Sequence, residues 1–130
     1  MRTCSLAIET TSHEGQITLG EGETVLETAA LARARRHNLE LMPGIDALCA
    51  RHGIERHDLQ ELYVALGPGS FTGVRIALAT VKMLAFALSA RVVGVPSLAV
   101  VAANAPNDSE HIAVALNLKR GNVYSQLFEA

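Results

Sequence analysis

A chain of 130 residues, 49% hydrophobic and 18% charged, has the size of one domain and can bury about two-thirds of the surface its unfolded form exposes. Its net charge of −2 excludes a stand-alone nucleic-acid binder that relies on a basic surface to neutralise phosphates. The two cysteines, Cys4 and Cys49, lack disulfide or zinc-site spacing and fit a reducing, cytoplasmic setting.

Thr3 to Glu9 reads as a short buried strand ending in a carboxylate, followed by the polar turn Thr10-Thr11-Ser12-His13-Glu14-Gly15. Gln16 to Leu19 and Thr24 to Ala29 flank Gly20-Glu21-Gly22-Glu23, so residues 3–30 are predicted to form an antiparallel meander of three strands. Leu41, Ile45 and Leu48 recur at i, i+4 and i+7, which predicts an amphipathic helix from about His37 to His52. Pro43-Gly44 either kinks that helix or opens a second segment, because an interior proline removes a backbone hydrogen bond. Gly53 terminates it, residues 54–61 read as a polar loop, and a strand at 62–66 leads into Gly67-Pro68-Gly69-Ser70-Phe71-Thr72-Gly73. Glycines and a proline at this density are what a tight strand-to-helix turn requires.

The helix that follows, from about Phe71 to Ala90, is apolar on nearly every face. Such a helix is buried on more than one side; a sheet covers one, and a partner is expected on another. Arg75 and Lys82 within it, and an N-terminal apolar run too short for a secretory signal, argue against a membrane span or export. Arg91 to Val95 reads as a parallel strand, Pro96-Ser97 as a turn and Leu98 to Asn104 as a short helix; residues 105–109 mark a boundary before a hairpin of His111 to Leu118 and Asn122 to Phe128. This element order is that of an α/β, ribonuclease-H-like lobe, a mixed five-stranded sheet with helices on its faces. The C-terminal hairpin must pack on that lobe or on a neighbouring chain, since a lone hairpin is marginal in water.

Two stretches have the residue types of an anion or nucleotide site. Glu9, Thr10, Thr11 and Ser12 offer a carboxylate and hydroxyls suited to hydrated magnesium and phosphate, or Glu9 caps the adjoining turn. Gly69, Ser70, Thr72 and Arg75 stand where a helix N-terminus attracts an anion. The glycine spacing does not match a phosphate loop, and Lys82 lies nine residues beyond Gly73, so a structural turn is the competing reading. Ser70 has no identifiable base to make it a nucleophile and reads as a helix cap. Arg33, Arg35 and Arg36 before the first helix and Lys119 and Arg120 on the hairpin tip either touch nucleic-acid phosphates within a larger complex or form a solvated charged face.

Ala7-Ile8-Glu9-Thr10-Thr11-Ser12, Arg36-His37-Asn38-Leu39-Glu40-Leu41-Met42-Pro43, the string Gly67 to Arg75 and Gly121-Asn122-Val123-Tyr124 together resemble the TsaB (YeaZ) family of the glycoprotease-like group, over essentially the whole chain. The resemblance implies an actin-type, two-lobed fold and a non-catalytic role. A member binds and stabilises the catalytic paralogue TsaD, which with the ATPase TsaE transfers a threonylcarbamoyl group to the adenosine beside the tRNA anticodon. It implies contact with tRNA only indirectly, a homodimer where the paralogue is absent, and an interface of helices. For that interface the expected residues are Leu41, Ile45 and Leu48 from the first helix and Val74, Leu78, Val81 and Ala85 from the second.

The sequence departs from the family pattern at Glu9, where aspartate is usual, and at Asn117, where the second lobe opens with an acidic residue. Residues 1–105 correspond to the first lobe and 106–130 to a linker and the hairpin that starts the second. Half of the cleft that holds nucleotide in actin-type enzymes is then absent: either the sequence is truncated or partners supply the other wall. No cofactor is expected on this chain alone, with ATP and magnesium only within a complex. The catalytic paralogue holds its metal through two histidines four apart, and here His37 is followed by Leu41, so no metal site is expected. The alternatives are a nucleotide-binding enzyme of the actin-type fold and a glycoprotease-like peptidase.

Overall fold

A computed structural model describes residues 3–31 and 37–129. The strands are β1 (Cys4–Glu9), β2 (Gln16–Glu21), β3 (Thr24–Ala30), β4 (Leu59–Ala65), β5 (Arg91–Val95), β6 (His111–Leu118) and β7 (Asn122–Glu129). The helices are α1 (His37–Arg51), α2 (Phe71–Leu88) and α3 (Ser97–Ala102), with one 3-10 turn at Arg56–Asp58. The first five strands form one sheet in the order β3-β2-β1-β4-β5. β1, β2 and β3 pair antiparallel, and β1–β4 and β4–β5 pair parallel. This is the mixed, ribonuclease-H-like sheet that the element order predicts.

Alternation along β1 decides which face becomes the core. Cys4, Leu6 and Ile8 are buried, while Ser5, Ala7 and Glu9 lie half-buried on the opposite face. Register carries the pattern across the sheet: Leu6 is flanked by Leu19 on β2 and Leu62 on β4, and Ile8 by Ile17 and Val64. These rows meet Leu41, Ile45 and Leu48 of α1 and Ala77, Val81 and Leu84 of α2 in one core. Burying such side chains stabilises the lobe by about 1.5–3 kcal/mol each.

That packing corrects the expected partner interface. Leu41, Ile45, Leu48 and Val81 are buried within the chain's own core, so none of them presents a surface to a partner. Leu78 and Ala85 are half-buried and packed against the same core, and Val74 is half-buried. An amphipathic helix in a lone α/β layer spends its apolar stripe on the sheet first, and periodicity finds that stripe whatever covers it.

Element bounds also differ, with α3 at Ser97–Ala102 where Leu98 to Asn104 is expected and β2 extending to Glu21. β4 begins at Leu59, not at residue 62, because Leu59 is buried and pairs with Cys4. α1 runs through Pro43 as one helix, so the proline opens no second segment. α2 ends at Leu88, short of Ala90, with Ser89 at φ 54 as a left-handed C-cap. The hairpin of β6 and β7 is antiparallel and separate from the main sheet. It seats on α3 through a second small core in which Val114 meets Leu98 and Ala102, with Ile112, Leu116 and Phe128 around them. Arg33, Arg35 and Arg36, and the side chain of His37, lie outside the described residues.

Candidate functional site

The glycine turn is built onto the loop after β1. The Ser70 N–H donates to the Thr11 carbonyl at 2.7 Å, and the buried Thr10 hydroxyl donates to the Gly73 carbonyl at 2.6 Å. A Cβ on Gly69 would lie 2.5 Å from the Thr11 carbonyl oxygen, and one on Gly73 would run into the Thr10 carbonyl. The glycines at these positions therefore admit a close backbone approach. Gly67, at φ 95, reverses the chain, and its carbonyl accepts the Ser97 N–H at 2.8 Å. Ser70 is the N-cap of α2: its hydroxyl accepts the Gly73 N–H at 3.2 Å.

Glu9 is engaged in the adjoining turn. One carboxylate oxygen accepts the Thr11 N–H at 2.6 Å, the Ser12 N–H at 3.2 Å and the Thr11 hydroxyl; the other accepts the Ser12 hydroxyl at 2.6 Å. Thr11 also lies 3.2 Å, hydroxyl to hydroxyl, from Ser97 at the start of α3. One network thus joins the end of β1, the glycine turn and the helix that carries the hairpin.

A cleft of about 1340 Å³ opens over this network. Its floor is the carboxyl ends of β1 and β4, the place where open α/β sheets bind ligands; its walls are the glycine turn, α3 and the end of β6. Glu9, Thr11, Ser12, Gly69, Ser70 and Thr72 are brought together along it, with Asn117 and Lys119 contributed by the hairpin. Two expected members are not. Thr10 is fully buried beneath Gly73, and Arg75 sits outside the cleft with its guanidinium 5.4 Å from the centre of the Phe71 ring. Val100, Val101 and Leu116 give much of the wall an apolar character.

The second candidate surface is the outer side of α1 and α2. Gly73, Ala77, Val81 and Leu84 bury one face of α2 against the sheet. The opposite stripe carries Phe71 (75% exposed), Arg75, Ala79, Met83 (53%) and Phe86 (92%). On α1, Leu39 (70%), Pro43 and Ala47 are exposed in the same way. By length and composition α2 could cross a membrane; here its inward face packs on β4, β5 and β1. The sequence reading missed Phe71, Ala79 and Phe86 as surface residues. The signal was the run of small residues at Gly73 and Ala77, which marks the face that approaches the sheet and leaves the bulky opposite stripe outside.

Elsewhere the titratable groups serve structure. Arg51 and His52 at the end of α1 hydrogen-bond Glu27 on β3, each at 2.7 Å, and hold its carboxyl down to about 2. Burial pushes the free thiols of Cys4 and Cys49 up. Among the described residues no cluster of His, Cys, Asp and Glu could hold a metal ion.

Comparison with known proteins places these surfaces in a family. A profile of the family described as "TsaD: tRNA N6-adenosine threonylcarbamoyltransferase" matches residues 25–129. The chain is 33% identical to the tRNA threonylcarbamoyladenosine biosynthesis protein TsaB of Bacillus subtilis, over 95% of this chain and 54% of that protein. It is 30% identical to the Escherichia coli protein of the same name, over 92% of this chain and 52% of that one. Among solved structures, YeaZ from Pseudomonas aeruginosa superposes with a TM-score of 0.89 at 29% identity, covering 98% of this chain and 61% of its own. The chain spans about half the length of the curated relatives it matches. With the family profile matching residues 25–129 and relatives at 33% and 30% identity over nearly all of this chain, the chain belongs to the TsaD family, in its TsaB (YeaZ) branch.

Proposed function

We propose that this chain is a non-catalytic partner subunit in threonylcarbamoyladenosine modification of tRNA. It docks the outer face of α1 and α2 on a TsaD-type paralogue, with a TsaE-type ATPase completing the assembly in the cytoplasm, and tRNA is met only through the complex. The observation that carries the reading is the exposed stripe of Phe71, Met83 and Phe86 on α2, with Leu39 likewise exposed on α1. Large apolar side chains in a row on one helix face mark an interaction site, while single ones scattered over a surface do not. The names of the relatives, tRNA threonylcarbamoyladenosine biosynthesis protein TsaB, supply the pathway. Where the paralogue is absent the same stripe pairs weakly with a second copy. ATP and magnesium belong to the complex, because Glu9 is spent on its own turn and the cleft needs a further wall.

Replacing Phe86, which is almost wholly exposed, by Asp tests the reading. Binding of the TsaD-type subunit of the same genome, followed by calorimetry, should fall at least tenfold, a loss of about 1.4 kcal/mol or more, with the thermal melt unchanged. Equal binding by the variant would remove this face from the interface. The cleft of about 1340 Å³ favours a second reading, an actin-type nucleotide-binding enzyme. Micromolar binding of ATP with magnesium by this chain alone would support it over the first.

A further inference from the structure

The outer face of α2 carries two cations and no compensating acid. Arg75 and Lys82 are the charged residues of Phe71–Leu88, a segment without aspartate or glutamate, and both are exposed. Ion pairs between described residues involve Glu27, Asp46, Glu55, Asp58 and Glu61, and neither Arg75 nor Lys82 is among their cations. Among the described residues Arg75 is in no ion pair, and its guanidinium lies 5.4 Å from the centre of the Phe71 ring. A guanidinium stacked on an aromatic face keeps its N–H donors in plane for a carboxylate. Lys82 follows seven residues later, two turns or ~10.5 Å along the helix axis, with Ala79 and Met83 alongside. On α1 the exposed residues Leu39, Pro43 and Ala47 are uncharged, and Asp46, on the same side of the helix, is already paired with Arg56 at 2.7 Å.

A helix laid on this stripe takes Arg75 and Lys82 partly out of water. Unpaired cations there oppose docking; cations met by carboxylates favour it and fix the register. A second copy is the wrong occupant for this charge pattern. Two α2 helices packed antiparallel about a two-fold axis near Ala79 bring Arg75 of each copy toward Lys82 of the other, four cations with no acid between them.

We propose that α2 is built for a partner helix that presents an apolar stripe flanked by two carboxylates about two turns apart, and that this charge pattern, not the apolar stripe, makes the face prefer a different chain to its own copy. The proposal rests on the docking reading above and adds the chemistry of the partner. It also gives Arg75 a place at the interface instead of at an anion site.

The test uses the full chain and two partners. For the TsaD-type subunit, binding by the wild type should weaken as salt rises, and the Arg75→Glu/Lys82→Glu variant should bind less tightly by roughly tenfold per reversed charge. The neutral Arg75→Gln/Lys82→Gln variant should fall between them and guard against misfolding of the reversed one. For self-association, native mass spectrometry of wild type mixed with the charge-reversed copy should give the mixed dimer in excess of the statistical half, because the reversed copy is an apolar helix bearing the two carboxylates. Failure of the wild type to bind the TsaD-type subunit while the mixed dimer still dominates would sink the functional reading and keep the charge pattern. Equal binding by wild type and reversed variant, or a statistical mixture, overturns the proposal.

Discussion

Thr10 and Thr11 explain why Gly69 and Gly73 are glycines. Each would place a Cβ against a threonine carbonyl, and the Thr10 hydroxyl bonds back to the Gly73 carbonyl. The contact is between two backbones, so neither side yields by changing rotamer. Gly73→Ala should therefore destabilise the lobe by at least about 3 kcal/mol, the upper end of overpacking costs, measured as a shift of the urea midpoint at constant slope. An unchanged midpoint would mean that the β1 loop moves freely and that the turn is not anchored. The turn itself was legible in the sequence, since three glycines and a proline crowd residues 67–73. Its reason was not: a composition that suits a phosphate cradle suits a tight backbone crossing equally well, and only the position of Thr10 and Thr11 separates them.

At the scale of elements, α1 and α2 divide the apolar residues between two tasks that share one periodicity. Leu41, Ile45 and Leu48 fill the core from α1, and Ala77, Val81 and Leu84 fill it from α2; Leu39, Met83 and Phe86 remain outside. The antiparallel meander and the first helix followed from the sequence because the turn glycines between β2 and β3 and the spacing of Leu41, Ile45 and Leu48 each have one solution. The division of faces on α2 did not, because its outer stripe is itself rich in large apolar side chains, Phe71, Met83 and Phe86, with only Arg75 and Lys82 to mark it as the side away from the sheet. Leu41→Ala separates the two tasks: it should cost about 2–5 kcal/mol of stability as a buried large-to-small change while leaving affinity for the TsaD-type subunit unaltered at a temperature where the variant is folded. A loss of affinity with stability intact would return Leu41 to the interface.

At the scale of the whole molecule, the described residues pack into two cores of unequal size. The five-stranded sheet with α1 and α2 encloses the larger, and the hairpin rests on α3 through Leu98, Ala102 and Val114. Val123, Tyr124 and Leu127 on β7 stay exposed, so β7 gains little from burial and depends on β6 for its backbone partners. A two-stranded unit held by so few buried side chains lies near the margin of independent stability. It is joined to the sheet by α3, whose first residue, Ser97, binds the Gly67 carbonyl and approaches the Thr11 hydroxyl. The hairpin should open as a separate unit, below the free energy of global unfolding. Native-state hydrogen exchange would show this as amides of β6 and β7 exchanging together while those of β1 and β4 remain protected. Val114→Ala should widen the gap by speeding only the hairpin group. Amides of β6 exchanging in step with β1 would instead make the hairpin an integral part of the lobe, and the end of β6 would then be a fixed wall of the cleft, not one that a partner positions.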